Sequence, residues 1–340
     1  MNKIISFLCL SVLFAFILVG CSSNAEKSNG EGGGAEPTTI QLGHALSEGT
    51  PAAELINEMA ANVEEQTEGR VAFKVFPNSQ LGSEVEMLEQ IKLGTMGSGA
   101  IMIGSMQNLN KTMAIEDLPY MWADAEHARA AYDGEFGEYL GNVMKEEGMT
   151  KIGYLEWGFR HITNNKKPIV KPEDMEGVSI RVAETELRVD TFEEVGALPT
   201  VMAFSELYGA LQQGTVDAQE NPLSNIVAAK FDEVQEYLSL SGHFYNTVMM
   251  VVDTDVWEKI SAEDQEIILA EADRISKEVR TVNDSKEQEY IDTLEERGMK
   301  VNDNVDKKAF REAMLPVYDK WEKEVFGSEL MDIYRAASGY

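Results

Sequence analysis

Residues 197–225 of this 340-residue chain, ALPTVMAFSELYGALQQGTVDAQENPLSN, constrain the fold more than any other stretch. They read as a strand at 198–202, a helix at 205–213 closed by Gly214, a strand at 215–219 and a turn at Asn221-Pro222. A strand–helix–strand unit this short makes a right-handed crossover, the building block of open α/β sheets. Such sheets bind small molecules just beyond the carboxyl ends of their strands. Asn221 falls at one of those ends, and Arg181, closing a strand at 178–181, falls at another. A guanidinium fork and an amide converging there suit a small carboxylate.

The rest of the chain extends this pattern. A strand at 39–43 ends at His44, and Thr50-Pro51 starts a helix whose Leu55, Met59 and Val63 share one face. Gly69 ends that helix and a strand follows at 71–76. After the Pro77-Asn78 turn, Ser83 and Glu86 form a capping box for a helix running through Ile91 to a stop at Gly94. A third strand at 98–103 completes a βαβαβ run with a mostly parallel sheet. A second run begins with a strand at 151–155 that leads through a Trp157-Gly158-Phe159 turn to Arg160. It continues with the strand at 178–181 and a helix at 184–195 stopped by Gly196. A chain of 340 residues exceeds the size at which single cores stop growing, so two domains are expected.

Residues 261–297 contain neither Gly nor Pro. Ile268, Ala272, Ile275, Val279 and Val282 make one apolar face, resumed at Tyr290 and Leu294. A helix of that length spans about 55 Å and outruns one small domain, so it is expected to run along both as a spine. Phe310, Leu315, Tyr318, Trp321 and Val325 read as tail helices packed on the second domain.

The N-terminus reads as a targeting segment. Lys3 precedes an apolar stretch at 4–19 that ends in Leu18-Val19-Gly20-Cys21, in the manner of a bacterial lipobox. The expectation is a leader at 1–20, cleaved before Cys21, whose thiol is then acylated, and a Ser/Asn/Gly/Glu-rich tether at 21–37. The alternative is an uncleaved span, for which sixteen residues are short. The only other cysteine, Cys9, lies in the leader, so neither an intramolecular disulfide nor a cysteine metal site is expected. A formal net charge of −30 without a basic cluster argues against nucleic acid as a partner.

Each candidate site residue has a plainer role beside its functional one. Arg181 is either one half of an internal salt bridge or a fork for a ligand carboxylate. Arg160 is a second candidate of the same kind. Asn221 either caps the Pro222 turn or reads the ligand. Phe204 is a pocket wall or a core residue, and His44 a contact or a hydrogen-bonded part of the scaffold. The four histidines, His44, His127, His161 and His243, show no i, i+4 pairing, so no metal is expected. Gly97-Ser98-Gly99 has Met102 where a dinucleotide loop needs its third glycine, and no nucleophile elbow occurs, so no cofactor and no enzyme is read here.

Five segments together resemble a known family: VFPNSQLG at 75–82, EDLPYMW at 116–122, GFRHITN at 158–164, GVSIRV at 177–182 and AFSELYGALQQGTVDAQENP at 203–222. They are similar to the DctP-type extracytoplasmic receptors of tripartite ATP-independent periplasmic (TRAP) transporters. Ser179 stands where that family usually has Lys, and Ala218 where it usually has Gly. The resemblance implies a two-lobed α/β fold of the periplasmic-binding-protein kind, with mixed sheets, flanking helices and a long helix spanning both lobes. By position it implies lobes at 38–158 plus 247–286 and at 159–246 plus 287–340. It also implies a monomer that closes over an organic acid and delivers it to a small and a large membrane subunit. Arg181 matches the carboxylate-pairing arginine, Asn221 its helper, Arg160 a second contact and Phe204 a pocket wall. His44 and Glu84 match positions that read the ligand's other end. Both sugar acids and C4-dicarboxylates carry the required carboxylate; His44, Glu84, Glu156 and Gln219 favour hydroxyl-bearing acids. Two other readings share some features, an ABC-type binding lipoprotein and a secreted carbohydrate-active enzyme.

Overall fold

The computed structural model describes residues 37–339. The leader, the acylation candidate Cys21 and tether residues 21–36 lie outside the described residues. The first βαβαβ run is β1 (Thr38–His44), α1 (Pro51–Gln66), β2 (Val71–Phe76), α2 (Glu84–Lys92) and β3 (Ser98–Met102). Helices α3 (Ala125–Asp133) and α4 (Glu135–Glu146) lead into β4 (Met149–Asn164). Next come β5 (Ser179–Val182), α5 (Glu186–Glu194), β6 (Leu198–Val201), α6 (Phe204–Gln212), β7 (Ala218–Pro222) and α7 (Leu223–Ala228). The chain continues with β8 (Tyr237–Ser239), β9 (Tyr245–Asp253), α8 (Thr254–Trp257), α9 (Ala262–Glu296) and β10 (Lys300–Asn302). Helices α10 (Lys307–Ala313), α11 (Leu315–Trp321) and α12 (Gly327–Ala337) close it.

The architecture is the expected two-lobed α/β fold with mixed pairing. The strand order is β2-β1-β3-β9-β4-β7-β5-β6, with β8 paired to β4 and to β10. Within each run the pairing is parallel, β1 with β2 and β3, and β5 with β6 and β7. The two sets are joined by antiparallel strands. Residues Met149 to Phe159 of β4 pair with β9, and Arg160 to Asn164 pair with β7. One strand therefore belongs to both halves.

Local signals explain most element ends. The Ser83 and Glu86 capping box that starts α2 is fully formed. The Ser261 hydroxyl accepts from the Asp264 amide at the start of α9. Gly214, at φ +68°, adopts the left-handed conformation that closes α6. Helix α9 runs 35 residues without a break. Its Ile268, Ala272, Ile275 and Val279 join the core formed with β1 and α1, and Leu294 joins a separate core with Leu223 and Ile226 of α7. The spine reading is correct.

Three local expectations are corrected. The Trp157-Gly158-Phe159 turn is absent; β4 continues through it as a bulge, with Gly158 at φ +98°. A bulge preserves the ladder while shifting which side chains face the site. The strand expected at 215–219 instead spans Ala218–Pro222, so Asn221 lies inside β7 opposite His161 and caps no turn. The polar run Gln219-Glu220-Asn221 hid that strand, because polar residues rarely fill a fully buried one. Finally, the tail divides. Phe310 and Met314 pack among second-lobe residues, but Val317, Tyr318 and Trp321 pack with Trp122, Tyr132 and Met249 of the first.

Candidate functional site

Strand β5 sends Ile180 and Val182 into the core. Strand alternation puts Arg181 on the opposite face. There it is 3% exposed. Its Nε and Nη2 donate to the carbonyl oxygen of Met202 at 2.9 and 2.7 Å. Among the described residues no carboxylate lies within ion-pair distance of it. Burial brings its pKa down to about 10, so the group is still charged at neutral pH. A buried charge held by one neutral carbonyl is costly unless a counter-ion arrives.

Arg160, on β4 beside the bulge, is arranged differently. Its Nε donates to Glu220 Oε2 at 2.5 Å, and its Nη2 to the Glu220 carbonyl at 2.6 Å and to Asn221 Oδ1 at 3.0 Å. Its Nη1 is buried and meets no acceptor among the described residues. Glu220 also accepts from Arg188 Nη1 at 2.9 Å. Burial alone would raise the Glu220 carboxyl, but Arg160 and Arg188 hold it below the usual carboxylate range. Arg188, on α5, reaches Asp117 Oδ1 at 2.7 Å and Asn246 Oδ1 at 2.6 Å. This buried network stretches from β7 to the segment before α3.

Arg160, Arg181, Asn221, Phe204 and Glu84 line one cleft of about 430 Å³. Asn221 Oδ1 accepts from Arg160 and from Asn225 Nδ2, while its own Nδ2 donates to Gln219 Oε1 at 2.5 Å. Phe204 opens α6, is half-buried, and meets Phe231 edge-on at 6.1 Å. Glu84, the first residue of α2, accepts from the Met102 amide at 2.8 Å and the Ser105 hydroxyl at 2.6 Å. Burial raises its pKa, and these hydrogen bonds offset part of the rise. Ser105 and Glu184 line the same space. The cleft thus has Arg160, Arg181 and Glu184 from the β4–β7 half and the Glu84 carboxylate from the first.

His44 does not line this cleft. It is wholly buried, and burial lowers its pKa to about 4, only partly offset by the backbone at Leu46. Its neighbour Ala45 lines the cleft instead. Glu156 and Gln219 are elsewhere too. Glu156 accepts from Arg129, Tyr245 and Asn283 beside a separate cavity of about 510 Å³ against α9. Gln219 is buried, donating to Thr163 Oγ1 at 2.8 Å. Glu220 and Arg188 escaped the sequence reading. Neither has a local signal, because β7 (Ala218–Pro222) and α5 (Glu186–Glu194) carry several other polar or charged residues beside them.

Among the described residues no group of three His, Cys, Asp or Glu side chains could hold a metal ion, and no helix is long and apolar enough to cross a membrane. The model of the DctP family, bacterial extracellular solute-binding protein family 7, matches residues 42–324. A crystal structure of a TRAP periplasmic solute-binding protein from Polaromonas sp. JS666, bound to D-erythronate, superposes with a TM-score of 0.85. It is 36% identical and covers 89% of this chain and 100% of that one. Another, from Sulfurospirillum deleyianum with bound succinate, gives 0.83 at 32% identity over 88% and 99% of the two chains. The 2,3-diketo-L-gulonate-binding periplasmic protein of Escherichia coli is 31% identical over 81% of this chain and 83% of its own.

Proposed function

Since the chain belongs to the DctP family, the family-7 bacterial extracellular solute-binding proteins, and is an organic-acid receptor of a TRAP transporter, we propose that Arg181 is the residue that anchors its ligand's carboxylate. The observation that carries this reading is the pairing state of the two cleft arginines. Arg160 is neutralised by Glu220, whereas Arg181 has only the Met202 carbonyl and keeps its charge unspent. A bound carboxylate completes it by a two-point contact. Arg160 Nη1 and Phe204 flank the anchored group, and Asn221 holds Arg160 in place through its Oδ1.

Closure follows from where the walls come from. Glu84 and Ser105 belong to the first lobe, Arg181 and Phe204 to the second. A ligand touching both stabilises the closed form over the open one. We place the lobe boundaries in the shared strands, at 158/159 and 246/247, with the tail helices contributing to both lobes.

The ligand class we favour is a hydroxylated monocarboxylate, a sugar acid. Glu84 and Glu184 present acceptor oxygens that hydroxyl groups satisfy, and the same oxygens repel a second carboxylate. The chain works outside the cytoplasm as a monomer and hands the acid to the transporter's membrane subunits. We infer that it is held at the membrane through acylated Cys21 and that it catalyses no reaction. Isothermal titration with D-erythronate, D-glucuronate and succinate tests the reading. Saturable binding of a sugar acid, weaker for succinate, is expected. No binding of any of the three at millimolar concentration would count against Arg181 as a carboxylate anchor.

A further inference from the structure

The bulge in β4 has one side chain with no ladder partner. Pairing with β9 passes from Glu156 opposite Thr247 directly to Gly158 opposite Asn246, which leaves Trp157 unpaired. A bulge of this kind re-aims the extra residue. Trp157 lines both the cleft and the cavity on the α9 side. Arg160 lies over its ring, with Cζ 5.5 Å from the centroid.

Trp157 is 8% exposed, and its indole Nε1 is buried with no acceptor among the described residues. A buried donor left without an acceptor keeps its full desolvation penalty. Packing explains the ring, which sits in the core with Leu155, Val248 and Met250. It does not explain the N–H, because phenylalanine would fill an apolar role without that cost. Arg160 Nη1 is the second unmet buried donor among the side chains lining the same cleft. Two such donors in neighbouring side chains, one stacked on the other, describe a place where acceptor oxygens belong.

We propose that Trp157 is a ligand-contacting residue, whose indole N–H donates to an oxygen of the bound acid beside Arg160 Nη1. This rests on the reading of the cleft as an organic-acid site. Arg181 carries the counter-charge, while Trp157 supplies a neutral donor of fixed direction. Such a donor favours acids bearing a hydroxyl or carbonyl oxygen next to the carboxylate. Trp157 also reports occupancy, because it lines the cleft.

Trp157→Phe keeps an aromatic ring beside Arg160 and removes the indole N–H together with the pyrrole half of the bicycle, so the affinity is read beside the indole resonance of the wild-type protein. Titration with D-erythronate and D-glucuronate should show wild-type binding and about a tenfold loss in the variant, the worth of one hydrogen bond. Trp257→Phe, outside the cleft lining, should bind as wild type. Ligand-induced change of tryptophan emission should persist in Trp257→Phe and vanish in Trp157→Phe. In the wild-type protein labelled with 15N, the indole resonance that Trp157→Phe removes should shift downfield on adding D-glucuronate. Unchanged affinity in a folded Trp157→Phe, or an unmoved indole resonance in a wild-type protein that binds, overturns the inference alone. A wild-type protein that binds neither these two acids nor succinate overturns the cleft reading and this inference with it; one that binds succinate alone overturns the inference and leaves the cleft reading standing.

Discussion

The guanidinium of Arg181 is held by the carbonyl oxygen of Met202 through two hydrogen bonds of 2.9 and 2.7 Å. Met202 follows the edge strand β6, so the arginine proposed as the carboxylate anchor is fixed by backbone. Removing one partner of a buried charge pair costs roughly 2–5 kcal/mol. Arg181→Ala is therefore expected to weaken binding by about two to three decades, at about 1.4 kcal/mol per decade. Arg181→Met should lose affinity in the same way yet unfold no more easily without ligand, since it removes an uncompensated buried charge. Calorimetric titration and ligand-free denaturant melts check both. An unchanged affinity would take Arg181 out of the site.

Glu220 is expected to behave in the opposite manner. It neutralises Arg160 and Arg188 at once, and all three side chains are buried. Glu220→Gln strands two guanidinium groups with less counter-charge. A stability loss of about 3–5 kcal/mol is expected in urea unfolding. A loss under 1 kcal/mol would mean that the network is not a structural keystone.

Acid should destabilise the fold from about pH 6.5 downward. Burial lowers the His44 pKa to about 4 and that of His161 to about 3, from an unfolded value of 6.5. The unfolded chain then binds protons that the folded chain refuses, so stability is present above 6.5 and lost as the pH falls toward those values. Glu220, held below its usual range, adds a further loss below about pH 4.5. Glu116 acts in the other sense, because burial, aided by Asp117, raises its pKa and favours its neutral form. His44→Gln should flatten the slope between about pH 6 and pH 4 by up to about 1.4 kcal/mol per pH unit. Unfolding free energies across that range decide it; an unaltered slope would show that His44 is protonated in the native state.

Association of the acid should not slow as salt is added. The formal net charge is −30, so the long-range field repels an anion and the guanidinium acts only at short range. Raising ionic strength from about 0.01 to 0.1 M shortens the Debye length from about 30 to about 10 Å and screens that repulsion. Stopped-flow association rates for D-glucuronate are expected to stay level or rise. A steep fall would reveal an attractive basic mouth.

Punctuation and periodicity made the fold legible: Ser83 and Glu86 for α2, Gly214 for the end of α6, and Ile268 through Val279 for the spine. Arg181, Arg160, Asn221, Phe204 and Glu84 were legible as a set through the resemblance, and they do line one cleft. His44 was misplaced because topology locates the end of a strand, whereas packing decides which neighbour faces the space. Strand β7 was misplaced because its polar residues are satisfied by long-range partners, Arg160 and Thr163 among them. Trp157 went unassigned because a bulge depends on the register of two strands more than eighty residues apart in the chain, Glu156 with Thr247. None of these three had a local signal.

Strand β4 has a further consequence for how the chain becomes a protein. The first lobe needs β9 to cover the free edge of β3, and the apolar stripe of α9 to cover α1. Both are encoded after every strand from β5 to β8. A nascent chain emerging from the ribosome therefore cannot settle its earliest half until most of the gene has been read. Fragments cut at any single point should leave bare sheet edges, so the two halves are inseparable as products.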